Sequence, residues 1–316
     1  MRVGLIVDSA CDLPHEFAIR HGLFILPVTA IINGETYIDT HDPALTQRFY
    51  QSGLLEKGHH AETEAFSVEQ IHELFMEKIV PEYDIAICET VTRSRSLIFQ
   101  NASDAMHTVM ANYETARKAS GRAGKFSMRV IDSKQIFAGQ GLLAAHTLKL
   151  IEQKVSKNAL KYEVETFSDN IFTCVIPRDI HYIRERARRR GDKSVSAVAA
   201  FLGKALNLTP VIFGQGVEGK PVAKTFNFDT AVERVMNYAA SRVEAGLLTP
   251  YVSLSCGLNW DEIEALPALD RLRETCERHN VELLLSQMGI TSSIYVGPGS
   301  ICLSLASEPH EFQDYQ

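Results

Sequence analysis

Short apolar runs alternate along the chain with stretches whose apolar residues recur at helical spacing. Residues 3–7 (VGLIV) and 84–88 (DIAIC) read as buried strands, and residues 127–131 and 172–176 as further strands. Residues 23–32 read as one strand closed by the turn Asn33-Gly34. Helical spacing marks residues 14–21, 43–51, 67–79, 96–118 and 136–152; in the third of these Val68, Ile71, Leu74, Phe75 and Ile79 share a face. Strand–helix alternation of this kind predicts a mainly parallel sheet covered on both faces.

The second half starts near residues 155–159, where apolar runs give way to polar residues. Residues 178–190 predict a basic helix, 196–206 an alanine-rich helix, and 210–213 with 221–226 a hairpin. A helix over 230–245, a strand over 251–256, a helix over 261–280 and strands over 281–285, 292–296 and 301–305 complete the pattern. The expectation is two α/β domains, residues 1–158 with a mainly parallel sheet and residues 159–316 with a mixed sheet.

Composition narrows the function classes. The length of 316 residues suits two domains, and 45% apolar with 22% charged residues is ordinary for a globular chain. Net charge is −7, which argues against a protein built to hold nucleic acid. No run approaches the ~18 apolar residues of a membrane span, and residues 3–7 are too short for a signal peptide. A cytoplasmic protein is the expectation. The six cysteines form no C-x-x-C pair, and four lie in apolar runs, so they read as small core residues rather than a disulfide or metal framework. No metal and no cofactor is expected.

Four polar loops follow buried strands, where open α/β sheets bind ligands. They are residues 8–14 (DSACDLP), 90–96 (TVTRSRS), 132–134 (DSK) and 297–300 (GPGS). Each alone is explained as a helix cap or turn. Together they suggest an anion site, with hydroxyls at a helix N-terminus and the cations Arg93 and Arg95. No dinucleotide, Walker, zinc-protease or nucleophile-elbow motif is present. An enzyme would have to use Asp8, Asp132 or Cys11, and no acid–base pair or activated nucleophile is legible among them. Gly139 and Gly141, inside a helical pattern, are explained by close helix packing.

The ordered motifs resemble the DegV family of bacterial lipid-binding proteins over nearly the whole chain. They are Asp8-Ser9-x-x-Asp12-Leu13-Pro14, Ile25-Leu26-Pro27-Val28, Val130-Ile131-Asp132-Ser133-Lys134 with Gly139 and Gly141, Asn207-Leu208-Thr209-Pro210, and Gly297-Pro298-Gly299. The resemblance implies two α/β domains with a fatty acid in an apolar tunnel between them. It implies a non-catalytic carrier whose ligand carboxylate meets hydroxyls of the N-terminal domain, and which in some members is presented to a separate fatty-acid kinase. The residues carried over as ligand-binding are Ser9, Thr63, Thr92, Arg93, Ser94, Ser96, Tyr295 and Gly297.

The chain departs from the family at the head group. Glu64 and Ala65 replace a serine and a glutamine, Arg93 replaces a serine, and Tyr295 replaces a histidine. The arginine associated with the kinase is absent in place, with Arg188–Arg190 and Lys193 nearby. Arg93 has three options: a ligand anion, Glu64 or solvent. Tyr295 either donates its hydroxyl or fills the pocket. The alternative is therefore a binding or regulatory protein for another amphipathic or phosphorylated ligand, its site remodelled by Arg93, Arg95 and Tyr295. The basic run 184–190 reads first as a solvated face, second as a dock for an acidic protein such as a kinase domain, and last as a nucleic-acid site.

Overall fold

The computed structural model describes residues 2–54, 60–122, 124–189, 208–216 and 218–313. The first half runs β1 (Val3–Asp8), α1 (His15–Arg20), β2 (Phe24–Leu26), β3 (Val28–Ile32), β4 (Glu35–Asp39), α2 (Pro43–Gln51), β5 (Ala61–Ala65), α3 (Val68–Leu74), β6 (Ile85–Thr90), α4 (Ile98–Ala119), β7 (Ser127–Asp132), α5 (Phe137–Glu152) and α6 (Lys157–Ser168). The second half continues with β8 (Ile171–Ile176), α7 (Ile180–Arg189), β9 (Thr209–Gln215), β10 (Glu218–Thr225), α8 (Phe228–Ala245) and β11 (Tyr251–Cys256). It ends with α9 (Trp260–Glu264), α10 (Leu269–Arg278), β12 (Glu282–Gln287), α11 (Ile290–Val296) and β13 (Ile301–Ala306).

The first sheet is wholly parallel, in the order β2-β1-β6-β7, and β6 is buried at all six positions. The other large sheet is mixed, in the order β10-β9-β8-β13-β11-β12. A small antiparallel sheet, β4-β3-β5, stands beside the first. Helix α5 packs against β1 and β6 of one large sheet and against β8, β11 and β13 of the other. Nearly every residue from Phe137 to Leu150 is buried, as a helix shared between two sheets requires. Its glycines permit that approach. A Cβ on Gly141 would lie 2.2 Å from the Asp12 carbonyl oxygen, and one on Gly139 would lie 3.1 Å from Thr173 Oγ1. Helices α3 and α4 cover the far face of the parallel sheet, and α8 and α10 cover that of the mixed sheet.

Four expectations are corrected. Residues 23–32 are two strands in two different sheets, because β2 pairs with β1 while β3, beyond Pro27, pairs with β4 and β5. The helix expected over 261–280 is two helices, broken at Pro267 and at Ala268, whose φ is +58°. Residues 292–296 are helical rather than extended. Strand β5, with the sequence AETEA, carries no apolar run and was not expected as a strand. The alanine-rich helix expected over 196–206 lies outside the described residues.

Candidate functional site

In the parallel sheet, β1 leads through α1 to β2 on one side, while β6 leads through α4 to β7 on the other. The chain thus reverses direction between β1 and β6. The carboxyl ends of strands at such a point leave a crevice for ligands. A cavity of about 40 Å³ lies there, lined by Asp8 and Ala10 after β1, Val91, Arg95 and Ser96 after β6, and Ile136 and Phe137 before α5. Val28, Thr63 and Ala65 of the small sheet form another wall, and Thr291 and Tyr295 of α11 close it from the second half. It has room for about three waters, or for a carboxylate group. The long apolar tunnel that was expected is not seen at this point among the described residues, where the space is this small cavity.

Asp8 holds the crevice in shape. Its Oδ1 accepts from Ala10 N at 2.9 Å and its Oδ2 from Val91 N at 2.5 Å, tying the loops after β1 and β6 together. Burial pushes its carboxyl up to about 6, against the lowering effect of those bonds. Glu89, one residue before the end of β6, is also fully buried and is pushed up to about 7. Thr147 of α5 donates to it at 2.5 Å.

Two further carboxylates dock α11. Asp12 Oδ1 accepts from Gly289 N and Ser292 Oγ, both at 3.0 Å, and its Oδ2 accepts from Ser255 Oγ at 2.6 Å. Asp39 Oδ2 accepts from Thr291 N at 2.8 Å and Thr291 Oγ1 at 2.7 Å. Apart from the bond from Ser255 of β11, these bonds run from the first half of the chain to the N-terminus of α11, where a carboxylate is favoured by the unpaired amides and the helix dipole. Tyr50 adds a hydrogen bond to the Met288 carbonyl at 3.2 Å and one to Ser293. His41 sits among these acids and donates Nε2–H to the Ser9 carbonyl at 2.6 Å. Burial opposes its charge, but Asp39, Asp12 and Asp8 outweigh burial and raise its pKa.

Of the residues expected from sequence, Thr63, Ser96 and Tyr295 line the cavity. Ser9 does not: it is fully buried, donates Oγ–H to the Asp39 carbonyl at 2.5 Å and accepts from Val28 N at 3.1 Å, which joins β1 to the small sheet. Thr92, Arg93 and Ser94 face a second recess, on the outer side of the same loop, with Asp132, Lys134 and Asp169. A turn sets this division, with Arg95 N bonded to the Thr92 carbonyl at 2.9 Å. Arg93 pairs with Asp132 at 3.4 Å rather than with Glu64, which points outward from β5. Arg95, not Arg93, reaches the cavity, its guanidinium 6.0 Å from the centre of the Tyr295 ring. Gly297 ends α11 at φ +93° and makes room for the Tyr182 ring, 2.8 Å from where a Cβ would lie. It serves packing, not the cavity wall. In the basic run 184–190, Arg184 is exposed, while Arg186 is buried over the Tyr182 ring at 5.0 Å. The side chains of residues 187–190 lie outside the described residues.

Sequence reasoning missed Thr291, Asp39 and the docking role of Asp12. Asp12 left a signal as the second aspartate of the D-S-x-x-D motif, and Asp39 as the end of the family-like hairpin segment 34–39. Among the described residues no group of three or more His, Cys, Asp or Glu is placed to hold a metal ion, and no helix is long and apolar enough to cross a membrane.

Comparison with known proteins bears on this arrangement. A DegV domain-containing protein of Xanthomonas axonopodis pv. citri is 38% identical over 312 residues, covering 99% of each chain. The fold matches a crystal structure described as a stearic-acid-binding protein from Eubacterium ventriosum, with a TM-score of 0.76, 20% identity, and 97% and 98% of the two chains covered. It also matches a DegV lipid-binding protein from Thermotoga maritima, with a TM-score of 0.74, 17% identity, and 98% and 100% covered. The model of a family described as "Uncharacterised protein, DegV family" matches residues 2–308. The chain belongs to the DegV family.

Proposed function

We propose that this protein is a non-catalytic carrier of a long-chain fatty acid, with the carboxylate held at Arg95, Thr63, Ser96 and Tyr295. The observation that carries the reading is the cavity at the strand reversal. There hydroxyls and one arginine meet the apolar side chains Val28, Ala65, Val91 and Ile136, the composition an amphipathic ligand needs at the junction of head and tail. The relatives described with stearic acid and lipid point the same way. Arg95 is the one arginine or lysine among the described lining residues, which suits a monoanionic carboxylate better than a doubly charged phosphate. The tail would supply affinity, about 0.8 kcal/mol for each methylene removed from water.

Catalysis finds little support in these groups. The Cys11 thiol is pushed well up by burial and by Asp8, Asp12 and Glu89, the opposite of an activated nucleophile. A finer version of the reading is a cytoplasmic carrier that presents its head group to a fatty-acid kinase. It needs the carboxylate to be reachable from outside, and the partly exposed Arg95 and Ser96 form that side of the cavity. The test is native mass spectrometry of freshly purified protein, followed by lipid analysis. One fatty acid per chain, or its uptake from added palmitate or oleate, is the expected result. A protein that stays empty with both acids overturns the reading.

A further inference from the structure

The cavity, as the described residues line it, is too small for the tail of the ligand proposed above, so the tail has to pass one of its walls. On the side of the small sheet and α3, the cavity backs onto a core of fully buried residues that includes Ile71, Phe75 and Ile79. On the opposite side stand Phe137 and Tyr295, whose rings meet edge to face with centres 5.7 Å apart. Both belong at once to the cavity wall and to a small apolar cluster with Ala138, Met288, Val296 and Cys302. Val175 and Ile183, only partly buried, pack against that cluster, and Ile180, Leu208 and Ile212 form the neighbouring one. A tail leaving the cavity this way parts a small buried cluster edged by half-buried aliphatic side chains instead of a domain core, which is the cheaper path.

The backbone singles out Phe137. Its φ is +48°, a conformation that bulky residues rarely adopt, and it is pinned there by bridge pairing with Cys11. Backbone held in such a conformation clusters at ligand clamps. With its backbone fixed, the ring is the part of Phe137 able to move.

We propose that Phe137 and Tyr295 form an aromatic gate between the head-group cavity and the apolar seam beyond it, and that the bulk of the two rings determines which acyl chains are admitted. The inference rests on the fatty-acid reading and assigns selectivity within it. The test incubates the protein, Phe137→Ala, Phe137→Leu and Tyr295→Phe with an equimolar mixture of octanoic, palmitic, stearic and oleic acids. The acids retained are then weighed by mass spectrometry, and uptake is timed. Phe137→Ala is expected to change the preferred chain by about tenfold, the discrimination that a change of this kind in an apolar pocket brings. It should also take up ligand faster. Phe137→Leu should fall between it and the parent, and serves if the alanine variant does not fold. Tyr295→Phe keeps its ring and should keep the chain preference while binding all the acids more weakly. Unchanged preference and unchanged uptake in both Phe137 variants, with ligand still bound, overturn the gate and leave the carrier reading standing. Failure of every form to retain any acid overturns the carrier reading, and the gate with it.

Discussion

Two recesses share the loop of residues 91–96, and they treat charge differently. The inner cavity takes Val91, Arg95 and Ser96, and the outer recess takes Thr92, Arg93 and Ser94. The outer one is about tenfold larger, near 450 Å³ against 40 Å³. Its cations are already matched, Arg93 with Asp132 and Lys134 with Asp169, and it is open to water. A carboxylate arriving there would compete with both a partner and solvent, and the described residues of its wall include no aliphatic or aromatic side chain for an acyl tail. The inner cavity sets one guanidinium over an aromatic ring, beside buried acids and aliphatic side chains, where each polar contact counts for more. On the proposed reading, the chemistry of the walls and not their size marks the ligand site.

The comparison breaks most completely if the inner cavity loses its lid. Asp12→Ala removes the acceptor of three hydrogen bonds, two from the start of α11 and one from Ser255 of β11, and with α11 the cavity loses Thr291 and Tyr295. Stability should fall by about 3 kcal/mol, read by denaturant unfolding, and fatty-acid retention should be lost. Asp12→Asn, which keeps an acceptor, should lose less of both.

The buried acids beneath the inner cavity sharpen the contrast with the solvated Asp169. Because Glu89 is raised to about 7, the folded protein holds a proton that the unfolded chain releases near 4.5. The stability it contributes is full below pH 4.5 and is lost as the pH rises through 7, by on the order of 3 kcal/mol. Unfolding free energy of the parent should therefore fall between pH 5 and pH 8 (on the order of the same amount), and Glu89→Gln should flatten that slope. An equal slope in the variant would assign the pH dependence to other groups, first Asp8 and Asp12, both pushed up to about 6 by burial.

The two arginines divide the recesses directly. Arg95→Ala should weaken palmitate binding by roughly ten- to a hundredfold, as loss of a charge-assisted hydrogen bond does. Arg93→Ala should change it less than about threefold, because its charge is screened by solvent and paired with Asp132. Equal losses in calorimetric titrations would erase the distinction between the recesses. The smallest effect is expected at Lys134→Ala, whose exposed pair with Asp169 is worth less than about 1 kcal/mol of stability.

The sequence carried the parallel core and the position of the site better than the identity of its residues. Strands β1 and β6 are legible because strands buried on both faces are written as apolar runs. Strand β5 is not, since AETEA alternates small and charged residues and takes its pairing from β3. The helical state of residues 292–296 depends on caps that Asp12 and Asp39 supply from more than 250 residues away, which no local pattern encodes. Thr63, Ser96 and Tyr295 were named from family motifs, and the fold brings all three to one cavity. Arg93 and Arg95 are two residues apart, and only the turn at Thr92 decides which of them faces inward. Ser9 looked like a ligand hydroxyl, yet its bonds to the backbone of β3 and β4 leave it sealed beneath the site.

The central claim is that the carboxylate of a fatty acid sits in the inner cavity. A crystal structure of the protein with palmitate bound tests it most directly. The account predicts a carboxylate within hydrogen-bonding distance of Arg95, Thr63 and Ser96, with the tail leaving past displaced rings of Phe137 and Tyr295. A carboxylate in the outer recess against Arg93 and Lys134, or a tail running into the core around Phe75, would contradict it.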